Sequence, residues 1–143
     1  MSIRLGLDCV LYRGTAGTTA ATVMKNVKDV TCNLETGEAD ITTRAAQGWR
    51  VTKATLKEAT IEFGMLYDVE DADMQAISNA FFHNSAISLF VSDGLGSGLD
   101  CDASITQFNI EQNLEEGVNI SVTAKPTIIG GSSGRAPSWK QAA

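Results

Sequence analysis

Reactive side chains are scarce in this chain, and their spacing decides what chemistry is open to it. His83 is the only histidine, so a Ser/His/Asp relay, a Cys–His pair and a His-rich ligand set would all rest on one imidazole. None can be assembled. Cys9, Cys32 and Cys101 are an odd number at wide spacing, which argues against a disulfide framework and against zinc. Each stands among strand-like residues, so buried, reduced thiols acting as small hydrophobes are expected, with pairing of two of them under oxidising conditions left open. Asp71 with Asp73, and Asp100 with Asp102, look like fragments of calcium loops. Neither pair has the Gly of the sharp turn and a distal Glu at the expected spacing. Helix capping explains the first pair and the edge of a strand the second, while Glu115-Glu116 reads as a solvated turn. The loop Gly14 to Thr19 is followed by no Gly-Lys-Ser/Thr and opens no helix, so it cradles no phosphate. The expectation is a non-enzymatic protein without cofactor or metal.

Charge is more informative than nucleophiles. A formal net charge of −6 disfavours tight nucleic-acid binding, because phosphate contacts need clustered Lys and Arg. Every basic residue lies at or before Lys57 or at or after Lys125, so Glu58 to Ala124 carries acids and no base. That block is either a solvated acidic surface or half of a contact between identical subunits. The other half would be Arg4, Arg13, Lys25, Lys28, Arg44, Arg50, Lys53 and Lys57.

The elements that would position these residues are mostly strands. Leu5 to Tyr12 puts Leu5, Leu7, Cys9 and Leu11 on one face, and a short strand follows near Ala21 to Lys25. Val30 to Thr43 reads as a β-hairpin turning at Thr36-Gly37, with Leu34 facing Ala39 and Cys32 facing Ile41. One face would be apolar and the other would carry Glu35, Glu38 and Asp40. A longer, bulged turn stays open, since Thr is not the preferred first residue of a tight turn. Arg44 to Lys53 is a basic loop around Trp49, which either closes the end of the fold or makes a contact. Ala59 to Tyr67 alternates most cleanly. Asp71 to Phe82 changes period to that of a helix, with Met74, Ile77 and Phe81 on one face, Asp71 as cap and Asn84 as stop. Ala86 to Val91 is a short strand and Leu95 to Leu99 a loop. Cys101 to Glu111 needs a bulge near Thr106-Gln107 to keep phase. Val118 to Ala124 is the last clean strand, and Pro126 limits pairing beyond it.

These elements fit one domain of 143 residues with 43% hydrophobic and 20% charged residues. The expected fold is mainly β, an antiparallel β-sandwich or partly open barrel with one main helix at about 71–82. Residues 1–129 would form this domain, and 130–143 a flexible Gly/Ser linker with a C-terminal arm. No apolar run approaches a membrane span and no signal-peptide core is seen, so no membrane anchor and cytoplasmic production are expected.

Several stretches together resemble a known family. Asn26-Val27-Lys28-Asp29-Val30-Thr31, Leu34 through Arg44, Gly48-Trp49-Arg50, Leu56 through Phe63, the Asp71 to Phe82 helix and the segment from Leu114-Glu115-Glu116 to Lys125-Pro126 are similar, in order, to the tail tube proteins of long-tailed bacteriophages. The likeness covers nearly the whole chain and rests on length more than on any one residue. It implies a structural subunit of hexameric rings stacked into a hollow tube, a conduit for DNA in the virion tail. Assembly would take place in the host cytoplasm. Implied partners are further copies of the chain, the tape-measure, terminator and baseplate or tip proteins, and duplex DNA that passes without specific binding. On that reading Arg44, Trp49, Arg50 and Lys53 are candidates for an inter-ring contact. Glu35, Glu38, Asp40 and Glu111 are candidates for an acidic lumen, with the choice between the hairpin face and the late strands open. Arg135, Trp139 and Lys140 form a candidate assembly arm. Two other readings stay open: the inner tube of a contractile injection system, and a carbohydrate-binding β-sandwich, which would need an aromatic platform from Trp49, Tyr12, Tyr67 and Trp139.

Overall fold

The structure is a computed structural model that describes residues 3–115 and 117–141. Eight strands and one helix follow in chain order: β1 Val10–Thr15, β2 Thr22–Val23, β3 Val27–Asp40, β4 Thr52–Leu66, α1 Ala72–Phe82, β5 Ala86–Ser92, β6 Gly98–Glu111, β7 Asn119–Pro126 and β8 Ser138–Lys140. The strands make one sheet in the order β2-β1-β5-β6-β7-β4-β3, with β8 added to β6. Every pairing is antiparallel. Of the two expected architectures, this is the partly open barrel, a single sheet curled over α1.

Alternation supplies the core. Ile61, Phe63 and Met65 of β4, Ile120, Val122 and Ala124 of β7, and Cys101, Ala103 and Ile105 of β6 bury one side of the sheet. Met74, Ile77 and Ala80 of α1 pack into it, so the helix plugs the concave face. Asp71 accepts the Asp73 amide at 3.0 Å and caps the helix as expected. The helix ends where Asn84 takes a left-handed conformation, φ 52°. The bulge in β6 falls between Ile105 and Gln107, also as expected. Without it Phe108 and Ile110 would point away from the core that Ile105 enters.

Three expectations are corrected. The hairpin at Thr36-Gly37 does not form: Val27–Asp40 is one continuous strand, and its partner is Thr52–Leu66. Local alternation cannot distinguish a strand that folds back from one that runs on, and here pairing with β4 offers eleven registered pairs instead of six. Gly37 marks a register shift in that ladder, where an added Cβ would stand 2.6 Å from Thr55 Oγ1. The start of the chain is not a strand either, because Gly6–Asp8 is a 3-10 turn that leaves Leu5 and Leu7 exposed. The loop near 95–99 closes early at Gly98, whose φ of 154° and backbone packing against Val91 O exclude any side chain.

Residues 127–141 return to the domain. β8 pairs Gly98, Leu99 and Asp100 of β6 with Lys140, Trp139 and Ser138. A linker-like composition is thus compatible with a segment pinned at one strand and one side chain, Arg135.

Candidate functional site

Residues directly opposite in an antiparallel ladder share a face, so the registers define the side of the sheet away from α1. There β3 presents Thr31, Asn33 and Glu35 opposite Glu62, Thr60 and Glu58 of β4. β7 continues with Thr123 and Ser121, and β6 with Gln107, Asn109 and Glu111, the last opposite Asn119. The result is a four-stranded face of hydroxyls, amides and carboxylates. Lys28 Nζ reaches its margin, donating to Asn119 Oδ1 at 2.9 Å. Glu35 stands directly across from Glu58, a like-charge pair that costs the isolated subunit stability.

This face gathers Glu35 and Glu111 from the two candidate acidic groups, although they lie on strands far apart in sequence. It also adds Glu58 and Glu62. Glu38 and Asp40 are placed elsewhere: without a turn, alternation along β3 puts them on the side of Cys32 and Leu34. The Thr42 hydroxyl and amide hold the Asp40 carboxyl below its usual range.

Beyond Leu34 and Ala59 the β3–β4 pair leaves the core and projects as a two-stranded arm. No residue between 33 and 60 belongs to the buried cluster apart from the partly buried Ala59. The tip is held by Ile41 N–H to Val51 O at 3.0 Å and by the Thr42 hydroxyl, which accepts from Val51 N–H at 2.8 Å. Arg44–Ala46 then makes a 3-10 turn, and Gln47 and Gly48 reverse the chain at φ 55° and 86°. Trp49 is 77% exposed and does not close the end of the fold. Leu56 is 85% exposed, and Leu34, Ile41 and Val51 are exposed as well. A two-stranded ribbon is marginal by itself in water, and this one carries a large exposed apolar surface. Arg44, Arg50 and Lys53 surround Trp49 in sequence, and no acid occurs from Ile41 to Lys57.

The C-terminal segment is built around Arg135. Its guanidinium lies 2.8 Å from Asp100 Oδ1 and 2.9 Å from Asp102 Oδ1, and donates to Ser88 Oγ at 2.8 Å and to Thr18 O at 3.0 Å. The Gly17 amide and the Thr19 hydroxyl donate to Asp102 and Asp100, each at 3.0 Å. Asp102 is fully buried and Arg135 only 21% exposed at its side chain. Burial lowers the affinity of Arg135 for its proton, but the bonds to both carboxylates outweigh it and hold the group above its ordinary range. Asp100 and Asp102 therefore lie inside the β6 ladder and not at a strand edge. They are an anion pair that holds Gly17 to Thr19 and Arg135 over β5 and β6. Arg13 similarly neutralises Asp73. Part of the acidic block is thus answered within the subunit, which sequence separation concealed. Trp139 remains exposed on β8, and Lys140 stands over the Phe90 ring at 5.9 Å. An apolar groove of about 790 Å³ runs between β8, Ile128 and the root of the arm. Trp49 and Trp139 lie on different elements, and Tyr12 stacks on Phe90 at 5.7 Å.

The cysteines sort by depth. Cys9 is exposed, against expectation, while Cys101 is buried and its thiol pushed up to about 12 by desolvation. Cys101 thus stays protonated while an unfolded thiol ionises near 9.0, so it favours the folded state below that pH and loses this contribution between about 9 and about 12. A thiol reagent at pH 8 should label Cys9 at once and Cys101 only on unfolding. Rapid labelling of Cys101 in the native protein would contradict its burial.

No curated protein matches the sequence. The tail subunit of an empty gene transfer agent particle, refined with C6 symmetry, superposes with a TM-score of 0.72 over 96% of this chain and 98% of that chain, at 14% identity. The SPP1 tail tube protein gives 0.68 over 87% of this chain and 76% of that one, at 17% identity. A chain of the anti-feeding prophage baseplate gives 0.54, covering 89% and 91%, at 6% identity. These likenesses establish a shared fold. A family model described as phage tail tube protein matches residues 5–127, and the chain belongs to that family of structural tail proteins.

Proposed function

We propose that six copies of this subunit form a ring and that the rings stack into a tube whose inner wall is the polar face of β3, β4, β7 and β6. The observation that carries this is the pair of open edges bounding that face. Among the described residues β3 pairs only with β4, and β6 from Gln107 to Glu111 pairs only with β7, because β5 stops opposite Ser104. Open edges are a hazard in a monomer, and a heterologous contact that closes on itself removes them. Joining β3 of one copy to the late part of β6 in the next would continue the polar face around the ring. On the other side it would bring exposed Val30 and Leu34 against exposed Ile110 and Phe82. The sixfold symmetry reported for the gene transfer agent tail supports the ring size.

Glu35, Glu58, Glu62 and Glu111 would line the lumen. A wall of carboxylates, hydroxyls and amides repels phosphate and offers no point of capture, which suits passage of duplex DNA. The arm, with Arg44, Trp49, Arg50 and Lys53, would link successive rings, and Trp139 is the candidate contact of the C-terminal segment. Assembly in the host cytoplasm and joining to tape-measure, terminator and tip proteins belong to the same reading. Electron microscopy of the purified protein should show rings or tubes, and a strictly monomeric protein at high concentration would refute the proposal. Neither subunit nor tube should bind free duplex DNA near physiological ionic strength. Salt-sensitive binding at micromolar protein would overturn the acidic wall and direct attention to the bases before Lys57.

A further inference from the structure

We infer that the arm of one subunit docks on the opposite end of a subunit in the next ring, on the apolar surface of Tyr67, Val69 and Leu114 with its rim of Asp68, Glu70 and Glu115. The inference rests on the tube reading and names the surface that receives the arm. β4 fixes the geometry. The arm leaves the body at Ala59, whereas Leu66 at the other end of the same strand pairs with Asn119. The Tyr67 amide continues to Val118 O at 2.9 Å, so residues 67–70 and the β6–β7 turn share the end remote from the arm. In a head-to-tail stack that end faces the arm of the adjoining ring. From Leu34 to Asp40 the arm strand spans roughly 20 Å at about 3.3 Å per residue, so the arm must overlap the next ring.

Both surfaces carry exposed apolar side chains in the subunit. Tyr67 and Val69 are exposed and Leu114 fully so, matching exposed Trp49, Val51 and Leu56 on the arm. Charge supplies the direction. Arg44, Arg50, Lys53 and Lys57 occupy a stretch with no acid, while Asp68, Glu70 and Glu115 occupy one with no base. Of the other acids at the receiving end, Asp71 is bound to Asn26 and the helix amide, and Asp73 to Arg13. The bases there are Lys25 and Lys28, the latter tied to Asn119. Stacking arm to arm would set like charges together, and that repulsion selects one polarity.

A charge exchange tests this in the full-length protein. Arg50→Glu with Lys53→Glu should lower the sedimentable, tube-forming fraction by about tenfold or more, as should Asp68→Lys with Glu70→Lys. Combining all four should restore tubes, and mixing the two double variants should yield co-polymers. Unaltered circular dichroism and melting would show that each variant folds. If the wild type forms tubes and the Asp68/Glu70 variant does so equally well, or the four-fold variant regains nothing, this docking surface is wrong while the tube reading stands. If the wild type forms no tubes, the tube reading itself fails.

Discussion

Replacing Arg135 by Met should come close to unfolding the isolated subunit. The substitution keeps the bulk of the side-chain stem but leaves Asp100 and Asp102 buried beside one another, with only the Gly17 amide, the Thr19 hydroxyl and smaller dipoles to meet them. Removing one partner of a buried ion pair typically costs about 3–5 kcal/mol, because the orphaned charge has lost both its partner and its water. Here two anions are orphaned, against a total stability on the order of 5–15 kcal/mol for a domain. The urea midpoint of the Arg135→Met variant should fall steeply with an unchanged slope. Adding Asp100→Asn and Asp102→Asn should recover part of the loss, since the amides carry no charge to desolvate. Truncation after Thr127 should destabilise to a similar degree. A loss below about 1 kcal/mol, the range of a surface ion pair, would mean that the cluster is solvated in solution and the segment free.

Deleting the arm should produce the opposite pattern, a stable subunit that cannot assemble. Residues 37–56 contribute nothing to the buried cluster, so joining Thr36 to Lys57 through Asn-Gly, a favoured two-residue hairpin turn, removes no core contact. The melting transition should shift little, and solubility should rise as Trp49, Leu56, Ile41 and Val51 leave the surface. Tubes should be absent by microscopy at concentrations where the intact protein polymerises. Short isolated rings remain compatible with the lateral joint through β3 and β6, which lies outside the deleted residues. Normal tubes from the deleted protein would show that the arm does not link rings.

Local signals were legible in this sequence wherever short-range pattern and structure coincide. The α1 period, its Asp71 cap and its stop at Asn84 depend on neighbours within one turn. The β6 bulge follows from two alternating runs that are out of phase. The hairpin at Thr36-Gly37 failed for a complementary reason: period-2 alternation says which side chains share a face only after the partner strand is known, and the partner lay in Thr52–Leu66.

What the sequence determined by itself is therefore composition-level and local: a β-rich chain with one helix, a single histidine, a basic stretch before Lys57 and an acidic one after it. Only the tertiary structure decided which acids face outward. Glu35, Glu58, Glu62 and Glu111 meet on one face through three separate ladders, whereas Asp73, Asp100 and Asp102 are buried and neutralised by arginines 60, 35 and 33 positions away. Coulombic partners are chosen by distance in space, and distance is set by strand order and register. Trp49 makes the same point for apolar groups. Its burial depended on whether β3 and β4 ended at the body or ran past it, and the register carries them past.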